Sequence, residues 1–330
     1  MFPGRENPRA DPLARRAPQV AYRMLDLPRA LAADGTLAVF GFGAASGASD
    51  DPRWLPVALE PLQQPAPLEI WQVDAPVLCG RSDALQWSTG GGWLFAAIEV
   101  DEREHGGPGP AAEHAYTQLR QFVATRAEHH VLRLWNYLAD INHGAGDAER
   151  YKQFCDGRAR GMASFFGDGF PAASALGHHG RQHLLQVYLL ACDQAGTRVE
   201  NPRQVSAWRY PRQYGRTPPS FARAMALPAF DSLAISGTAA VVGHASAHED
   251  DLDAQLAETL INIDALLASA GMPVELGAHC PLKVYLRHAA DLEHVRERLQ
   301  RRLPGVPLLF LHGDVCRSEL LVEIDGWRYA

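Results

Sequence analysis

From Leu233 to Trp327 the chain alternates strand-like and helix-like words with short joints, an order that few layered folds accept. LAISGTAAVVGH reads as a strand, LDAQLAETLINIDALLASAG as a long helix and LKVYLRH as a strand. DLEHVRERLQRRL reads as a second helix, and LLFLHG and VCRSELLVEIDG as closing strands. The first half carries the same order. GGGWLFAAIEVDE (90–102) is a strand, and a helix follows from about Ala111 to Ala127, with Tyr116, Leu119, Phe122 and Val123 at helical spacing. HVLRLWNYLADI (130–141) is a strand, ERYKQFCDGRARGMASFF (149–166) a helix and RQHLLQVYLLAC (181–192) a strand. From Trp93 to Leu233 the offset is about 140 residues, which reads as an internal duplication of one α/β unit. Chance recurrence of common βαβ elements is the alternative, because residue identity between the halves is slight.

The rest of the chain is punctuated differently. Residues 1–25 read as a loose arm without the apolar block of a signal peptide. LAVFGFGA (37–44) is apolar enough for a buried strand. The proline-rich stretch from Pro52 to Pro76 lacks backbone donors and reads as extended loop or edge strand. EREHGGPGPA reads as a turn. Residues 199–232, with five prolines, read as a long connecting loop whose aromatic and apolar content argues against disorder. The expected organisation is an arm (1–25), a first unit (26–198), the connecting loop (199–232) and a second unit (233–330).

At 330 residues and 47% hydrophobic content, two domains with sizeable cores are affordable. The net charge of −7 argues against a nucleic-acid surface, which needs clustered Lys and Arg. No apolar run approaches the roughly 20 residues that span a bilayer. Five scattered cysteines (Cys79, Cys155, Cys192, Cys280, Cys316) form neither a disulfide framework nor a zinc pattern. The expectation is a reduced, cytoplasmic, soluble protein with a small-molecule substrate, no nucleic-acid or membrane partner, and a monomeric or small homo-oligomeric state.

Glu323 is the first candidate for chemistry. Strand alternation in VCRSELLVEIDG puts Val315, Arg317, Glu319, Leu321, Glu323 and then Asp325 on one face. These acids either face water, or one of them is buried and shifted towards the protonated form. Cys316 lies seven residues earlier, so only a bulge or bend would put it in one pocket with Glu323. Otherwise it is a small buried hydrophobe. Arg158 and Arg160 sit late in a helix on different faces. Arg287 shares a strand face with Tyr285, and Arg212, Arg216 and Arg223 lie beside Tyr210 and Tyr214 in the connecting loop. Singly these arginines read as surface ion pairs. Together they suit a small, multiply anionic substrate. His178, His179 and His183, or His129 with His130, lack acidic or cysteine partners at metal-ligand spacing. ISGTA, GGGW and STGGG match no nucleotide cradle.

Read in order, RLWNYLADIN, GDAERYKQFCDGRARG, YPRQYGRTPPSFARA, ISGTAAVVGHAS, KVYLRH and VCRSELLVEIDG resemble the chorismatase family of the 3-hydroxybenzoate-synthase type. The resemblance runs from Trp93 to the C-terminus, while the first ninety residues match loosely. It implies an α/β (α+β) fold of two tandem Rid (YjgF-like, chorismate-mutase-like) units, with mixed sheets and helices packed on one face. It also implies a cofactor-independent enzyme that cleaves the enolpyruvyl ether of chorismate and releases pyruvate. In deaminating Rid proteins an arginine precedes the last strand in a word like ARS; LFLHGDVCRS departs from that pattern.

The resemblance assigns Glu323 as catalytic acid and Cys316 as the position that separates aromatising from purely hydrolytic members. Gly237 is the companion position, where hydrolytic members carry alanine, and with Thr238 it also counts among the implied substrate contacts. Arg158, Tyr214, Arg287, Tyr285 and Arg223 are the implied substrate contacts. Proton delivery to an enol-ether methylene at neutral pH needs a carboxyl raised from about 4.3 towards 6 or 7, which burial can do. The product would be 3-hydroxybenzoate, with or without 4-hydroxybenzoate. A dihydroxycyclohexadiene acid, or a non-catalytic Rid-like binding protein, are the alternatives.

Overall fold

The computed structural model describes residues 16–44, 46–167, 169–228 and 232–329. Two seven-stranded sheets dominate. In spatial order the first holds Asp314–Val315, Ala172–His178, His130–Ala139, Leu184–Cys192, Trp93–Asp101, Leu85–Gly90 and Leu78–Ser82. The second holds Thr197–Val199, Ala224–Ala226, Ser232–Thr238, Val322–Tyr329, Leu282–Leu286, Leu308–His312 and Glu60–Pro61.

The central four strands of the two sheets have the same topology. In each, a parallel pair joined through a helix is flanked by the unit's last strand and then its first. The duplication read from the word order is therefore present in the strand order. Helices Pro108–Ala124 and Arg150–Met162 cover the outer face of the first sheet over Leu94, Ala96, Leu134, Leu185 and their neighbours. They approach closely because Gly157 lies against the backbone of Gly109, where a Cβ would not fit. Leu252–Ser269 and Leu292–Arg302 cover the second sheet in the same way.

The inner faces meet each other and a four-stranded sheet (Gln19–Arg23, Leu68–Gln72, Thr36–Phe42, Trp54–Val57) in one aromatic core. Trp71, Trp135, Tyr188 and Trp327 pack there with ring centroids 4.8 to 6.2 Å apart. None of the described helices is long and apolar enough to cross a membrane.

Several expectations are corrected. Residues 1–15 of the arm lie outside the described residues, and Gln19–Arg23 is a strand. In the proline-rich stretch, Trp54–Val57 and Glu60–Pro61 are edge strands as their prolines require, but Leu68–Gln72 is an interior strand, since it contains no proline. EREHGGPGPA contains a short helix, Glu102–His105, and the start of the next at Pro108, where proline is tolerated. The connecting loop contributes the strand Ala224–Ala226, the end of the strand Thr197–Val199 and the 3-10 turns Ala207–Arg209 and Arg212–Tyr214. PAASALGH, too small and glycine-bearing to read as a strand, forms Ala172–His178. VCRSELLVEIDG is not one strand. Its start pairs with the first sheet, its end lies in the second, and Cys316 sits on the turn between them.

Candidate active site

Where the two sheets come side by side, a cleft of about 560 Å³ opens, within the size range of small-molecule sites. The strand Ala172–His178 of one half lies against Ser232–Thr238 of the other, with the Ala173 amide donating to Ser236 Oγ at 2.9 Å. Glu323 is on the floor, on the strand Val322–Tyr329, and only 5% exposed. The pairing between Ser232–Thr238 and this strand shifts register between Ile235 and Thr238, a bulge that brings Gly237 onto the glutamate. A Cβ at position 237 would stand 2.7 Å from the Glu323 carboxyl carbon and nearer still to an oxygen. The glycine is required because the carboxyl occupies that space.

Burial first, and the nearby Asp325 charge second, push the Glu323 carboxyl up to about 8; Arg133 and Arg223 pull it back in part. At neutral pH Glu323 therefore carries a proton into the cleft. Cys316 also lines the cleft, and burial, with Glu323 adding to it, pushes its thiol up to about 12. It is a neutral S–H rather than a thiolate nucleophile.

The cations Lys152, Arg158, Arg223 and Arg317 share the rest of the cleft with Glu149, Glu249 and Glu319. Arg158, on the helix Arg150–Met162, is 4% exposed and lies over the Tyr116 ring at 5.2 Å. Its Nε and Nη2 are buried without a hydrogen-bond partner among the described residues. Arg223 donates to the Val205 carbonyl (2.9 Å) and the Tyr210 hydroxyl (2.6 Å), and its Nε is likewise unpartnered. Tyr214 faces the cleft from the 3-10 turn, within 3.4 Å of His244 Nδ1, and the Arg317 guanidinium lies 4.0 Å from its ring centre.

The cleft thus brings together Glu323, Cys316, Arg158, Tyr214, Arg223 and Gly237, and leaves out three of the residues assigned to it. Arg287 is a fastener. It binds Asp314 Oδ1 (2.6 Å), Asn142 Oδ1 (3.1 Å) and the carbonyls of Val315, Arg317 and Leu320, so it holds the turn that carries Cys316. Tyr285 points into the core and donates to Asp325 at 3.0 Å. Thr238 bonds to the Ser236 carbonyl. Ser174, Lys152, Phe221 and Arg317 line the cleft and escaped sequence reasoning. Arg317 stood next to Cys316 and Lys152 is one of only two lysines, but Ser174 lay in a strand that gave no signal. Of the histidines weighed as metal ligands, His178 is buried on the Leu184 carbonyl, His179 lies 3.5 Å from Asp314, and the His129 and His130 rings pack at 4.2 Å. Among the described residues no three metal-ligating side chains converge.

Among the described residues the first unit has no counterpart of this cleft at its equivalent position. Gln186 faces Tyr137 across the first sheet as Glu323 faces Tyr285 across the second. Its amide donates to the Pro56 carbonyl (2.8 Å) and Glu99 (2.6 Å) and accepts from the Ala58 amide (2.9 Å). The proline-rich segment therefore fills the position equivalent to the cleft floor.

Residues 69–191 match the family described as chorismatase FkbO/Hyg5-like, N-terminal. The chain is 37% identical to a 3-hydroxybenzoate synthase of Streptomyces hygroscopicus, over 78% of this chain and 80% of the relative. It is 36% identical to a chorismatase of Streptomyces rapamycinicus, over 78% and 81%. A chorismatase crystal structure superposes with a TM-score of 0.84 at 29% identity, covering 95% of this chain and 98% of that one.

Proposed function

The chain belongs to the chorismatase family, and from the cleft it carries we propose that it cleaves the enolpyruvyl ether of chorismate, releasing pyruvate and forming 3-hydroxybenzoate. The observation that carries this reading is the Glu323 carboxyl, buried on the cleft floor and held protonated up to about pH 8. Glu323 gives its proton to the methylene carbon of the enol ether, and the ether oxygen supplies the electron pair that makes an oxocarbenium ion. The resulting carboxylate lies beside that cation and stabilises it. Arg158 and Arg223 meet the substrate carboxylates, which explains guanidinium nitrogens buried without partners.

When the neighbouring ring hydroxyl, rather than water, adds to the cation, its oxygen leaves the ring in pyruvate, the former ether oxygen stays on its ring carbon, and loss of the proton from that carbon gives the phenol with no water consumed. Water addition to the cation would instead leave a dihydroxycyclohexadiene acid. Cys316, a neutral thiol at the cleft wall, favours the aromatising course by shaping the ring's seat and limiting water, and Gly237 leaves the Glu323 carboxyl in its seat beneath the ring.

Incubation with chorismate, with pyruvate assayed and products separated by chromatography, tests the reading. Pyruvate with 3-hydroxybenzoate, alone or beside the 4-isomer, is expected. Pyruvate with a non-aromatic acid would keep the cleavage and overturn the role of Cys316. Full turnover by a folded Glu323→Gln variant would overturn the acid.

A further inference from the structure

Two carboxyls share one face of the last strand. Glu323 and Asp325 are two residues apart, about 6.6 Å along the strand. Glu323 looks into the cleft, and Asp325 is fully buried behind it. The protein equips them in opposite ways. Four donors converge on Asp325 Oδ2: Arg133 Nη2 at 3.0 Å, Trp135 Nε1 at 3.1 Å, Ser174 Oγ at 2.7 Å and the Tyr285 hydroxyl at 3.0 Å. That is the setting of a carboxylate paired with a guanidinium, both without exposure. Glu323 meets the bare backbone of Gly237 instead, and no hydrogen bond is among the influences on its proton.

Like charges this close in a dry interior are not both accommodated cheaply. Supplying the donors to one of two carboxyls decides which of them keeps the proton. Ser174 is the joint between the two settings. It lines the cleft, accepts from Arg133 Nη2 at 2.6 Å while donating to Asp325, and stands 3.1 Å from where a Cβ on Gly237 would be. Of the other groups facing Glu323, Arg133 and Arg223 oppose Asp325, and Cys316 is neutral. The remaining charged groups of the cleft, Lys152, Arg158, Arg317, Glu149, Glu249 and Glu319, are not among those that shift it.

We propose that Asp325, held by Arg133, Ser174 and Tyr285, is a positioning residue for Glu323: a buried anion, out of the substrate's reach, that keeps the proton on the cleft carboxyl. The inference rests on the reading of Glu323 as proton donor.

The test is the pH dependence of kcat/KM for pyruvate release from chorismate, in the wild type, Asp325→Asn, Tyr285→Phe and Glu323→Gln. Asparagine keeps an acceptor for Arg133 and Ser174 but removes the charge. The alkaline limb, near pH 8 in the wild type, should move down by about one to three pH units. The ratio of the rate at pH 8 to that at pH 6 should then fall about fivefold for one unit and about fiftyfold for three. A limb that stays in place in folded Asp325→Asn, or a loss equal at all pH values, overturns the proposal.

Should Asp325→Asn not fold, Tyr285→Phe decides. It takes one donor dipole off Asp325 without touching the cleft, so the limb should move up, and no movement or a downward one overturns the proposal. Glu323→Gln separates the two readings. If it turns over normally, the acid assignment fails. If it is inactive while the limb of the other variants is unmoved, only the role of Asp325 fails.

Discussion

Glu323→Gln should abolish turnover and, above about pH 4.5, stabilise the protein, and both effects come from one buried proton. In the folded chain the carboxyl is raised from an ordinary 4.5 to about 8. Below pH 4.5 folded and unfolded chains both carry the proton, and the group is neutral towards stability. Between about pH 4.5 and 8 the unfolded chain has released it while the folded chain keeps it. Folding must then take up a proton, and stability falls as pH rises, by about 1.4 kcal/mol per pH unit. Above about pH 8 both states are ionised and the deficit is constant, up to about 5 kcal/mol, a large fraction of the roughly 5–15 kcal/mol that holds a domain together.

Glutamine fills the same space without an ionisable proton. Urea unfolding followed by tryptophan fluorescence, with Trp71, Trp135 and Trp327 in the core as reporters, should show the two proteins alike near pH 4.5. The variant should pull ahead through pH 8 and then keep a constant lead. A lead independent of pH, or a wild type that gains on the variant as pH rises, would refute the reasoning.

Gly237→Ala should drive the carboxyl off its seat, since the new methyl would stand 2.7 Å from the carboxyl carbon; initial-rate assays should show kcat lowered by about tenfold or more, with the aromatic share of product reduced. Cys316→Ala should keep pyruvate release while shifting product towards the dihydroxycyclohexadiene acid, read by chromatography. Gln186→Glu should destabilise the fold by about 2–3 kcal/mol, because a carboxylate would face the Pro56 carbonyl and Glu99 where an amide now donates. Chemical denaturation at pH 7 checks it, and unchanged stability would contradict the filled second cleft.

The sequence alone determined the alternation of strands and helices, because apolar period and turn residues are local properties carried by each word. It also carried the duplication, the apolar setting of Glu323 in LLVEIDG and, through the family resemblance, Cys316, Arg158, Tyr214 and Gly237. Tertiary structure decided what faces what. A single strand from Val315 to Glu323 was the natural local reading, but the chain leaves one sheet at Val315 and enters the other at Val322, so strand parity says nothing about Cys316. Arg287 looked like a carboxylate clamp until the turn it fastens was known.

Ser174 and Asp325 took on roles only when strands about 150 residues apart met. Which of two acids on one strand face keeps its proton is set by donors from Arg133, Trp135 and Tyr285, none of them near in sequence. Local pattern fixes which side chains point inward. The field at a buried carboxyl is the sum over whatever the fold packs around it, and that is a property of the assembled sheets alone.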